Sequence, residues 1–183
     1  MIDSYFIQYC APTLAGMKCG SLFRFPYRSL SELERQVSDA NRRLRGKGIN
    51  ITVLRDGKAA ALILVYRERM ALKELGNPIT QRFLTKLGYQ DCSVDGFIKE
   101  ISARMSKQGA FPHEIGLLLQ YPLRDVVGFM RNQGKNCKCT GCWKVYGDES
   151  ESIKRFDRYK KCTDCYLKQF QLGKSIEQLT VAA

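Results

Sequence analysis

Ile49-Asn-Ile-Thr-Val-Leu-Arg-Asp-Gly-Lys-Ala-Ala-Ala-Leu-Ile-Leu-Val-Tyr66 decides how this chain folds. Ile49, Ile51 and Val53 alternate with polar residues, the period of a half-buried strand. Asp56-Gly57 is a hairpin turn signal, because these residues tolerate the backbone that a tight antiparallel turn requires. Ala59 to Tyr66 is a nearly continuous apolar run, which suits a central strand. A helix precedes the pair. Leu33, Val37, Ala40 and Leu44 recur at helical spacing, Ser31 and Glu34 fit a capping box at its start, and Gly46 and Gly48 end it. Gly20-Ser-Leu-Phe-Arg-Phe25 is a further strand candidate. The pattern predicts an α+β fold, with a small, largely antiparallel sheet and helices packed on it.

Around this unit the reading is less regular. Residues 5–28 are apolar and punctuated by Pro12, Gly16, Gly20 and Pro26, and outside the strand they predict irregular chain. Downstream the chain reads as helices. Arg67–Leu75 and Ile79–Leu87 are split by Gly76-Asn-Pro78, Ser93 caps a segment with Phe97, Ile98, Ile101 and Met105 on one face, and Ser152–Leu172 is amphipathic. Residues 1–110 are thus the α+β part. Residues 111–183 are a helical part carrying a cysteine cluster, packed with the first as one compact unit.

A chain of 183 residues, 44% hydrophobic, can bury a core without disulfides. No run approaches the ~18 apolar residues of a membrane helix. The start, Met1-Ile-Asp-Ser-Tyr5, has no signal-peptide pattern. The expected compartment is the cytoplasm, where clustered cysteines bind metal or do redox work more often than they form bridges. The formal charge of +12 attracts anionic partners. The basic residues are spread along the chain, so a single nucleic-acid groove is not evident.

Five of the eight cysteines lie between Cys137 and Cys165. Cys139/Cys142 and Cys162/Cys165 are two C-x-x-C pairs, a template for tetrahedral zinc. Iron–sulfur clusters use the same thiolates, and Cys137 is an alternative ligand. His113, the only histidine, is a second alternative, or a general base for a thiol. In Cys10-Ala-Pro-Thr-Leu-Ala-Gly-Met-Lys18, Thr13 and Lys18 are candidate anion-binding residues and Cys10 a candidate nucleophile with His113 as base. Phe111–Arg131 has the outline of a helix-turn-helix. Its first helix runs from Phe111-Pro112 through Leu119 and its second from Pro122 through Met130, with Arg124, Asp125, Arg131 and Asn132 outward. Trp143 and Tyr146, beside Cys142, would shield a metal centre or stack on a base or a flavin.

Three of these stretches carry a resemblance. Cys-Ala-Pro-Thr-Leu-Ala-Gly at 10–16, Phe-Pro-His-Glu-Ile-Gly at 111–116 and Lys-Cys-Thr-Gly-Cys-Trp-Lys-Val-Tyr-Gly-Asp at 138–148 resemble a bacterial domain-of-unknown-function family, found mainly in clostridia and other anaerobic Firmicutes. The resemblance spans Cys10 to Val181, and Lys161-Cys162-Thr163 also fits it. It implies that Cys10, His113, Cys139, Cys142 and Cys162 belong to the pattern, while Cys19, Cys92 and Cys137 depart from it. The fourth metal ligand then lies between Cys165 and His113, and an anaerobic setting favours iron over zinc.

The leading expectation is a cytoplasmic metal-binding protein with zinc or an iron–sulfur cluster on Cys139, Cys142, Cys162 and Cys165, linked to iron or redox physiology. Its partners would be an acidic protein or a redox partner, with no membrane. The alternatives are a thiol enzyme using Cys10 and His113 on an anionic substrate, and a basic nucleic-acid binder with a zinc-stabilised module.

Overall fold

Strands β1 (Gly20–Pro26), β2 (Ile49–Arg55) and β3 (Ala60–Arg67) form one antiparallel sheet in the order β1-β3-β2. The computed structural model describes residues 2–57, 60–107 and 111–182. The α+β expectation and the central position of the apolar run both hold. Lys58 and Ala59, inside the expected hairpin, lie outside the described residues.

The apolar run of β3 serves two cores, because successive side chains point to opposite faces. Ala61, Ile63 and Val65 pack with α1 (Ile2–Leu14), α2 (Leu30–Leu44), α8 (Ile176–Leu179) and the later part of α7 (Glu149–Gln171). Leu62, Leu64 and Tyr66 pack with α3 (Glu68–Leu75), α4 (Pro78–Lys86), α5 (Val94–Ser106) and the 115–119 segment. On β2 the same alternation sends Ile49, Ile51 and Val53 to the first core and Leu54 to the second, and the pairing register shifts between Val53 and Arg55. The exposed edge of β2 is closed by Asn41 of α2, which donates to the Ile51 carbonyl at 2.7 Å and accepts from its amide at 2.8 Å.

The N-terminal segment is the main departure from the sequence reading. Residues 2–14 are helical despite Pro12. Pro12 removes one amide in the last turns, and Gln8, whose carbonyl loses that bond, is exposed to water. Gly16, at φ +73°, closes the helix. Met17 N donates to Pro12 O at 2.9 Å and Gly16 N to Thr13 O at 3.1 Å, the paired bonds of a Schellman cap. The glycine therefore answers a backbone demand of the helix end.

Other boundaries move less. The cap of α2 is Ser29, accepting from Glu32 N at 3.2 Å, two residues before the expected Ser31–Glu34 box. Gly48, at φ +75°, follows the helix's final 3-10 turn. Residues 111–119 hold only a short 3-10 turn, His113–Leu117. Helix α6 runs Leu123–Asn132, and Ser93 caps α5 as expected.

Arg67 joins these parts. It is 3% exposed and donates to three carbonyls: Thr13 at 2.6 Å, Leu14 at 2.6 Å and Val181 at 2.8 Å. Val181 N returns to Leu14 O at 3.0 Å. Burial lowers the pKa of the guanidinium, yet its base value is so high that it stays charged. Replacing Arg67 with Met strands these buried acceptors. The expected loss is roughly 3 kcal/mol, since each unsatisfied buried group costs about 1–3 kcal/mol, and urea unfolding monitored by circular dichroism measures it.

Candidate functional site

Two of the three marked stretches, 111–116 and 138–148, meet near Tyr121 and Trp143, where α6 and the start of α7 flank a two-stranded hairpin of β4 (Cys139–Thr140) and β5 (Lys144–Val145). The hairpin is too short to hold itself together. Asp125 of α6 supplies its anchor. Its carboxylate is 2% exposed and accepts from Trp143 Nε1 at 2.7 Å, Tyr146 N at 2.9 Å and Gly147 N at 2.6 Å. The residue read as an outward helix-turn-helix position is thus a buried anion. The hairpin tip is seated on α7. Trp143 meets Phe156 edge-on at 4.5 Å and stacks on Tyr121 at 4.9 Å. Gly141 allows this approach, because a Cβ there would stand 2.2 Å from the Phe156 ring.

Between the hairpin and the 111–129 segment lies a cavity of about 300 Å³. Phe111, His113, Tyr121, Phe129 and Trp143 give its aromatic walls, and Thr140 and Lys144 add polar groups. A second cavity, of about 670 Å³, shares Phe111, His113 and Phe129 and extends to Arg104 and Lys107. His113 stands at the junction. Its ring centroid is 4.5 Å from Phe129 and 5.5 Å from Phe111. Among the described residues no hydrogen bond or ion pair engages its nitrogens. Burial lowers its pKa, against a smaller opposing effect of Glu114. At neutral pH the imidazole is therefore neutral and offers one donor and one acceptor. Glu114 beside it is structural: it is buried and accepts from Tyr89 Oη at 2.9 Å and Arg104 Nη1 at 3.0 Å.

The cysteine window is not drawn together. Among the described residues, no group of three or more His, Cys, Asp or Glu side chains is placed to hold a metal ion. Cys139 sits in β4, where burial and then Glu149 raise its pKa. Cys142 is exposed at the hairpin tip. Burial also raises its thiol, with Lys18 acting the other way. Cys162 and Cys165 are neighbours on α7, and burial, then Cys165, pushes Cys162 up to about 11. Cys137 Sγ lies 3.5 Å from Thr140 Oγ1.

The Cys10–His113 pairing is not formed either. Cys10 is fully buried in the core on the α1 face of the sheet. Burial pushes its thiol up to about 12, the opposite of an activated nucleophile. His113 lines a cavity with Leu22, Ile115 and Val126, on the other face. Thr13 is buried with its hydroxyl 2.9 Å from that of Ser21, so it is not presented to an anion. Lys18 is half-buried beside Tyr121 and Tyr159. Asp125, Tyr121, Phe129 and Lys144 escape a sequence reading. Their roles arise from packing between α6, the hairpin and α7, and no local spacing announces it.

Asp125→Ala leaves three donors without their anion. The expected destabilisation is about 3 kcal/mol, from charge-assisted bonds worth roughly 1.5–3 kcal/mol each with partial replacement by water. Trp143 is the only tryptophan, so a red-shifted emission in the folded variant reports the loosened hairpin.

No curated protein and no solved structure matches the chain. The family model described as "Protein of unknown function (DUF3793)" matches residues 6–180. That span covers the sheet, both cores, the hairpin and the cavity, and the chain belongs to this family.

Proposed function

We propose that this protein binds a small planar aromatic molecule in the cavity between the 111–129 segment and the β4–β5 hairpin. The observation that carries the reading is the His113 imidazole, without a hydrogen-bond partner among the described residues, on the wall of an aromatic cavity. A desolvated polar group without a partner costs free energy, and a ligand that meets both nitrogens recovers it. The volume lies at the small end of ligand pockets, ~300–1,000 Å³, and suits one fused ring system. The flat rings accept such a ligand at little cost in side-chain order. Lys144 stands at the rim with its ammonium on the Gly134 carbonyl at 2.8 Å, so an acceptor or anionic group on the ligand finds a cation there.

A zinc or iron–sulfur centre on Cys139, Cys142, Cys162 and Cys165 keeps the support of its spacing. It needs the hairpin and the middle of α7 to close on one ion, whereas the cavity needs no rearrangement. Metal analysis of anaerobically purified protein tests that reading independently.

Trp143 lines the cavity, so its fluorescence is a direct probe. Titration with riboflavin, adenosine and indole-3-acetate should give saturable quenching for at least one of them. That ligand should raise stability by about 2.7 kcal/mol at a hundredfold excess over its Kd. His113→Leu should weaken binding while leaving the fold intact. Absence of saturable quenching across such a panel, or quenching unaltered in His113→Leu and Phe129→Ala, would overturn the proposal.

His113 also predicts a pH dependence. Its folded pKa lies below the ordinary 6.5, so the unfolded chain takes the proton first. Stability is unaffected by this group above that value. It declines as pH falls from about 6.5 toward the lowered folded pKa, and then levels off. Urea midpoints measured across this window should fall toward acid in the wild type and flatten there in His113→Asn.

A further inference from the structure

The cavity of about 670 Å³ adjoins the aromatic one and shares Phe111, His113 and Phe129 with it. Phe111 stands at this junction 43% exposed, an aromatic face that a stacked ring would cover. Beyond the shared wall the larger cavity turns polar, with Arg104, Lys107, Glu114 and Gln133. The charges around the two cavities are sorted by their access to water. The acids that line them are buried, Asp125 at 2% and Glu114 at 3% exposure. Donors already meet both: Trp143 and two hairpin amides on Asp125, Tyr89 and Arg104 on Glu114. Lys107 and Lys144 are exposed. Among the described residues the Lys107 ammonium enters no hydrogen bond or ion pair. Arg104 is held on the wall by Glu100 at 2.8 Å, Glu114 at 3.0 Å and the Leu87 carbonyl at 2.9 Å, and N–H groups of its fork remain. Glu100 is partly in water, but Arg104 pairs with it. A solute entering here therefore meets positive charge, which draws in anions.

Given a planar ring in the smaller cavity, as proposed above, we infer that the larger cavity takes a phosphate joined to that ring by a sugar-sized linker. The ligand class is then the mononucleotides. A carboxylate set directly on the ring would leave most of the larger volume empty, whereas a linker and phosphate occupy it. A phosphate monoester is close to a dianion at neutral pH and offers three strong acceptor oxygens. It can thus meet the separate cations Lys107 and Arg104 together, through charge-assisted bonds. His113 and the two phenylalanines, common to both cavities, would hold the ligand where ring gives way to linker.

The test is isothermal titration calorimetry of the full chain at about pH 7.5, where the phosphate is mostly dianionic. Matched pairs are compared: riboflavin with flavin mononucleotide, and adenosine with adenosine monophosphate. In at least one pair the phosphorylated member should bind roughly tenfold tighter, the gain of about one charge-assisted contact. The advantage should shrink as ionic strength rises from about 0.01 M to about 1 M, because exposed cations are screened. It should also fall in Lys107→Gln. That side chain is exposed, and the cap it provides to α5 is a backbone bond to the Ala103 carbonyl, so the substitution spares the fold. Equal binding within every pair, or an advantage unchanged by salt or by Lys107→Gln, overturns the phosphate assignment and leaves the ring site standing. Binding of neither member of any pair overturns both.

Discussion

The fold turns on a buried cation that, among the described residues, is met by carbonyls rather than a carboxylate. Arg67 leaves the end of the central strand and enters the C-terminus of α1, where it meets the Thr13 and Leu14 carbonyls and, beyond them, Val181. A helix C-terminus carries partial negative charge on its unpaired carbonyls. That charge holds the guanidinium. One planar fork thereby ties the first helix, the central strand and the last residues of the chain. Lys47 reinforces the closure by donating to the Glu177 and Thr180 carbonyls at 2.6 and 2.8 Å.

A buried anion does the corresponding work at the other end of the molecule. Asp125 collects three donors from the hairpin, and the hairpin then forms one wall of the His113 cavity. The cavity therefore depends on a carboxylate whose oxygens are taken up by the hairpin's own donors. Cationic clasp and anionic clasp divide the tasks: Arg67 sets the sheet and its first cover, Asp125 the aromatic pocket. The residues between them, Lys18 and Tyr121, lie where the two regions touch.

The strand alternation at Ile49–Val53 and the apolar run ending at Tyr66 were legible because both faces of β3 are buried against helices. A continuous apolar stretch has no other stable place in a three-stranded sheet. The helices with Ser or Pro near their starts were legible for a similar local reason. The first helix was not, since Pro12 and Gly16 read as loop punctuation. Pro12 is tolerated because it lies in the last turns of the helix, where a single amide is lost on the side of the exposed Gln8, and Gly16 because it caps the helix. The cysteine spacing was legible as a pattern, but spacing along a chain does not bring sulfurs together in space. Cys139 and Cys142 follow the hairpin, while Cys162 and Cys165 follow α7.

By itself the sequence determined the fold class, the central strand and most helices, because these depend on periodicity and local backbone chemistry. Only the tertiary structure decided what the marked residues do. Cys10 and Thr13 became core, and His113 became part of a cavity wall. Asp125 became an anchor, and Lys18 came to lie beside Tyr121 and Tyr159. Burial and partnership are set by residues distant in sequence, and they govern protonation and reactivity more strongly than residue type alone.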